Sequence, residues 1–221
     1  MSILFVLLTF LLILTVMYFR RPQEVSDALQ VAPSRVLAAP IMLKGTGFEV
    51  PRGYGFHPGH TWVLDEGHQN ARVGIDAFAT NLFGKIDSIE MAALNRWVRQ
   101  GQKLCTVKRE GRSIDLLSPV EGVLVSVNHE VVKNPNLVVE DPYKNGWLCV
   151  IKAPELATNN KNLLQGAIVT AWMQNSIARL GARLQQLSPA LAQDGGLPMK
   201  GLLFQIDASA QQELAQEFFL T

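Results

Sequence analysis

Lys108-Arg109-Glu110-Gly111-Arg112 puts four charges into five residues at the point where two short apolar runs meet. An amine there could be acylated. The cationic run, with Arg96, Arg99 and Lys103 nearby, could form a positive end suited to an acidic partner or to anionic lipid headgroups, or simply keep a strand end solvated. His57, His60 and His68 could bind a metal if a hairpin drew them together, but His57 and His68 sit in glycine-rich turns. Cys105 and Cys149 lie among apolar neighbours in apparent strands, where a reduced, buried thiol is expected and no metal-ligand spacing involves either. Asp87, Glu90 and Asp115 show no spacing that marks an acid–base pair. There is no phosphate loop, nucleophile elbow or serine–histidine constellation. These residues describe a protein that is not an enzyme.

The charged run must be held by a hairpin. Leu104, Thr106 and Lys108 alternate with Cys105, Val107 and Arg109; Ile114, Leu116 and Leu117 return, with Glu110-Gly111 as the expected tip. Pro119-Val120-Glu121-Gly122 turns the chain into a third strand, Val123 to Val127. Upstream, Thr61 to Leu64 and Ala71 to Ile75 read as paired strands around the turn Asp65-Glu66-Gly67-His68. Asp76 can cap a short helix from Ala77 to Leu82. Strands are expected at 86–91 and 104–107, a loop at 134–143, and a closing strand from Gly146 to Ile151. Short strands with frequent glycine turns predict a mainly β barrel or sandwich over residues 48–154.

Outside that domain the chain changes character. The run from Ile3 to Phe19 holds 17 residues without a charge, and Arg20-Arg21-Pro22 ends it. That predicts a transmembrane helix within residues 1–21, with the bulk of the chain on the cytoplasmic side of the cell membrane by the positive-inside rule. Residues 22–47 read as a linker carrying a short helical possibility at 25–31. In the 155–221 extension, Val169, Met173, Ile177, Leu180, Leu184 and Leu187 recur at helical spacing, with Trp172 widening the stripe. The stripe suits packing on its own domain or on a partner helix. Asn159 to Asn162 are expected to cap that helix and Ser188-Pro189 to stop it. A short strand from Gly201 to Ile206 and a last helix from Asp207 through Phe219 complete the tail. The net charge of +1, from 20 basic and 19 acidic residues, argues against generic nucleic-acid binding.

Several spaced motifs carry a family resemblance. His60-Thr61-Trp62-Val63 resembles the histidine-x-tryptophan-valine start of the glycine cleavage system H protein, and Val73-Gly74-Ile75 its valine-glycine-isoleucine segment. Ser118-Pro119-Val120-Glu121-Gly122, with Val127-Asn128, is similar to its proline turn. Asn134-Pro135, Asp141-Pro142-Tyr143 and Gly146-Trp147-Leu148 resemble its closing signature. The resemblance covers roughly residues 50–152. It implies a flattened lipoyl-domain-like barrel/sandwich hybrid of two antiparallel sheets and a non-enzymatic carrier, whose hairpin tip holds a lysine amide-linked to lipoic acid.

That lysine, eight residues before the turn proline and ten after the preceding loop glycine, falls on Gly111 by both counts, from Pro119 and from Gly101. Glycine has no side chain to acylate. Lys108, three positions earlier, is the nearest amine, but it stands where the resemblance implies an acidic residue. The expectation is therefore a membrane-anchored scaffold or binding module without a cofactor, its interaction site on Lys108, Arg109, Glu110, Gly111 and Arg112. The alternative is a lipoylated carrier of an aminomethyl group, attached at Lys108.

Overall fold

The computed structural model describes residues 2–19, 39–43, 47–187 and 200–220. The chain divides into two compact units, Met1–Arg35 and Val36–Thr221. The first contains α1 (Ser2–Phe19). Its 18 residues rise about 27 Å, a little less than the ~30 Å hydrocarbon core of a bilayer. Among the described residues no helix is long and apolar enough to cross a membrane. The expected helix at 25–31 and the stop at Ser188-Pro189 lie outside the described residues.

In the second unit β1 (Ile41–Met42) pairs antiparallel with β2 (Glu49–Val50), matching Ile41 to Val50. The expected linker therefore ends earlier than its composition suggested, because Ile41 and Leu43 already turn apolar surface inward; Leu43 is buried. Next come β3 (Gly55–Phe56), β4 (Thr61–Gly67) and β5 (Asn70–Ile75), followed by α2 (Ala77–Phe83). Asp76 caps α2, its Oδ1 accepting from the Ala79 N–H at 2.9 Å, a contact worth about 1 kcal/mol. After β6 (Ser88–Met91) and β7 (Trp97–Val98) the hairpin forms from β8 (Lys103–Arg109) and β9 (Arg112–Leu117), and β10 (Gly122–Val127) follows. The segment expected to be a loop at 134–143 instead continues from α3 (His129–Lys133) into a second short helix, α4 (Leu137–Glu140). Asn128 caps the first with its side chain. β11 (Cys149–Lys152) closes the β domain.

Two antiparallel sheets make the body. One has six strands in the order β3-β4-β5-β11-β10-β7, the other three in the order β6-β8-β9. The third strand after the hairpin thus leaves the hairpin's sheet and pairs with β11 and β7. Val63, Val73, Ile75, Leu124 and Ile151 from the large sheet and Leu104, Val107 and Leu116 from the small one are all buried in one core. Alternation along β9 directs Ile114 and Leu116 inward, whereas β8 is buried continuously from Leu104 to Val107 beside a register shift. Lys108, Arg112 and Ser113 remain at least partly in water.

The motif residues are mostly fold residues. Trp62 is fully buried, and its indole N–H donates to the carbonyls of Ile75 (2.9 Å) and Pro142 (3.1 Å). The Tyr143 hydroxyl accepts from the Ala77 N–H at 3.0 Å, and Tyr54 donates to the Tyr143 carbonyl at 3.0 Å. Burial raises both phenol pKa values, so the rings stay neutral.

The tail belongs to the same compact unit. After α5 (Leu156–Asn159) and a 3-10 turn at Asn160–Asn162 comes α6 (Ala167–Leu187), which buries Val169, Met173, Leu180 and Leu184. Asn159 does not cap α6, which begins after Gly166; its side chain accepts from the Glu121 N–H at 2.7 Å instead. The strand expected from Gly201 to Ile206 is instead a 3-10 turn, Leu202–Phe204, entered through Gly201 in the left-handed region at φ 80°, and all three of its residues are buried. α7 (Ala208–Phe219) follows, capped by Asp207, whose Oδ1 accepts from the Ala210 N–H at 2.9 Å.

Candidate functional site

The apex of the β8–β9 hairpin is Glu110-Gly111, flanked by the pair Arg109 and Arg112. Both central residues have positive φ, 51° and 75°, the geometry of a two-residue turn whose twist matches the strands. A Cβ added at Gly111 would meet nothing within 4 Å. The tip of the hairpin is therefore an open backbone apex whose two residues, Glu110 and Gly111, carry no amine.

The charges around the apex are engaged. Arg112 Nη1 donates to the Ile206 carbonyl at 2.7 Å, and Nη2 donates to the Phe204 carbonyl. The guanidiniums of Arg109 and Arg112 lie 5.6 and 5.9 Å from the centre of the Phe204 ring, within cation–π reach. Arg109 Nη1 also donates to the Phe83 carbonyl at 3.1 Å, and its Nε faces Glu110 Oε1 at 3.1 Å. The Glu110 N–H donates to Asp87 Oδ2 at 2.8 Å. Lys108 Nζ pairs with Glu90 across the β6–β8 ladder, and Lys103 pairs with Asp115 at 2.7 Å. Phe83 and Phe204 pack 6.5 Å apart beneath the tip. The five-residue basic tip is thus no free cationic surface: its two arginines hold the tail to the hairpin. No local pattern announced this, because Arg112 and its acceptors are more than ninety residues apart in sequence.

The histidines do not gather. His57 Nδ1 accepts from the Gly59 N–H at 3.0 Å, and burial, with His60 adding, lowers its pKa. His60 is buried with Nδ1 2.7 Å from Asp76 Oδ2, its ring stacked on Phe78 (4.4 Å) and Trp172 (4.6 Å). His68 stands exposed in the β4–β5 turn. Among the described residues no group of three or more His, Cys, Asp or Glu could hold a metal ion. Cys105 and Cys149 are free and buried; burial first, and Asp115 second, push the Cys105 thiol up to about 12, and burial raises Cys149 well above its usual value. Both remain thiols at neutral pH and are unsuited to nucleophilic work.

The Glycine cleavage H-protein family model matches residues 55–176, more than half the chain. This chain belongs to the glycine cleavage H-protein family. The matched span runs past the β domain into α6, further than the motifs alone reached. A glycine cleavage system H protein from Aliivibrio fischeri is 35% identical over 97 residues, 44% of this chain and 77% of that protein. One from Alteromonas mediterranea is 30% identical over 128 residues, 58% of this chain and 95% of the relative. A solved glycine cleavage system H protein from Mycobacterium marinum is 24% identical with a TM-score of 0.44, covering 48% of this chain and 87% of that one. The matched span takes in both sheets of the body and the β8–β9 hairpin.

Proposed function

We propose that this protein is an H-protein-like binding or scaffold module that carries no lipoate, is not an enzyme, and is tethered to a membrane by α1. The Glu110-Gly111 apex carries the first part: the backbone where a family member would hold its arm offers no amine. Lys108 lies off the apex on a strand, with its ammonium on Glu90. The tail's hold on Arg112 further limits how far the tip could swing.

Membrane association is supported by α1. Val6, Leu7, Leu8, Phe10, Leu11, Leu12 and Ile13 are each more than half exposed, so the helix is apolar on every side. Such a surface is costly in water and favourable in lipid. A helix a few ångströms short of the hydrocarbon core is accommodated by local thinning at modest cost. Arg20 and Arg21 follow the apolar run, which favours a cytoplasmic placement for the rest of the chain at the cell membrane.

The competing reading, a carrier with lipoate in amide linkage to Lys108 Nζ, draws on family membership and on the partial exposure of Lys108. Intact-mass measurement of the chain from lipoate-supplied cells distinguishes the two. The expected spectrum shows the unmodified mass; a lipoyl adduct that disappears in Lys108→Ala overturns the scaffold reading. Fractionation of the same cells should place the full chain with membranes and a form lacking residues 1–21 in the supernatant. Membrane retention of the shortened form would mean that α1 is not the tether.

A further inference from the structure

The positive residues left over by the tip point elsewhere on the domain. Arg96 and Arg99 flank β7, at the edge of the six-stranded sheet, and both are exposed. Among the described residues neither has an ion-pair partner, unlike Lys103, Lys108 and Arg109. Between them Trp97 is 46% exposed, an unusual state for a large aromatic ring, and Leu94 just upstream is 52% exposed. Trp97 lies opposite Val123, and Val123 opposite Lys152, so the three share one outer row across β7, β10 and β11. Val125 continues the apolar surface along β10 at 41% exposure. Lys152 is exposed and also lacks an ion-pair partner among the described residues, while the half-buried Glu121 is the acidic residue adjoining the row in sequence.

We propose that this face, built from Leu94, Arg96, Trp97, Arg99, Val125 and Lys152, rests on the surface of an anionic bilayer. An amphipathic indole flanked by cations suits the headgroup region: the ring body enters the interface while guanidiniums and ammonium meet lipid phosphates. A purely apolar protein partner would leave three cations unpaired, which the lipid charge complements. The inference rests on the membrane reading of α1, since a tether keeps the face within reach of lipid.

The test uses the full chain with vesicles of phosphatidylcholine, with or without phosphatidylglycerol, brominated near the interface in matched samples. With phosphatidylglycerol, bromine should quench a component of tryptophan fluorescence that is missing in Trp97→Phe. That quenching should fall in phosphatidylcholine alone, in high salt, and in Arg96→Gln/Arg99→Gln/Lys152→Gln, each lost cation weakening the contact about fivefold. Flotation of that triple variant with vesicles should persist, because α1 is intact. An unquenched Trp97 in anionic vesicles, or quenching indifferent to lipid charge and to the three substitutions, overturns the docking face. Failure of the native chain to float would instead overturn the tether, and the quenching result would still decide the face.

Discussion

Two glycines separate the roles of single residues here. Gly111 and Gly84 both have positive φ, 75° and 64°, yet their surroundings differ. A Cβ at Gly111 meets open space, so Gly111→Ala carries only the backbone penalty, about 1 kcal/mol. A Cβ at Gly84 would sit 2.6 Å from Gly201 Cα, where the tail crosses the end of α2 and the Gly201 N–H donates to the Asn81 carbonyl. Gly84→Ala should therefore cost about 3 kcal/mol, the backbone penalty plus displacement of the tail. Denaturant titration of the two variants checks the difference; equal losses would mean that the tail does not press on Gly84. At the same scale, Trp62, Tyr143 and Asp76 show what the motif residues do for the fold: each satisfies backbone groups.

Among elements, the contact that matters is tail on hairpin. Leu214, Phe218 and Phe219 of α7 are buried, and Arg112 supplies the polar link to the preceding turn. Hydrogen bonds from a charged donor are worth about 2 kcal/mol. Arg112→Ala should thus raise hydrogen exchange in residues 202–219 about thirtyfold while leaving β4 and β5 protected. Uniform loosening of the whole domain would contradict a local fastening. Packing of α7 on α6 adds a pH dependence. Glu217 accepts from Arg179 and Arg183, each at 2.8 Å. Burial raises its pKa, but the two arginines outweigh burial and the net shift is downward. The folded carboxyl therefore binds its proton less tightly than the unfolded one. Stabilisation is full above the ordinary value of 4.5 and is lost as pH falls through the lower folded value. Denaturant midpoints measured down the acid range should decline less steeply in Glu217→Gln.

On the scale of the whole molecule, much was legible in the chain itself. The hairpin tip, the Asp76 and Asp207 caps and the stripe of α6 depend on neighbours within a few residues, and the spaced motifs pointed to the two-sheet body. The 3-10 turn at Leu202–Phe204 was not legible as such, since an apolar run of that length suits a strand equally well. Nor was the strand at Ile41–Met42, whose Ile41 pairs with Val50. What the sequence by itself determined is that the apex has no amine, because counting along the backbone needs no third dimension. Which cations remain available only the tertiary structure decided. It bound Arg112 to carbonyls more than ninety residues away and left Arg96, Arg99 and Lys152 facing water. The reason is that partnership between charges depends on distance in space, and long-range packing fixes that distance independently of local pattern.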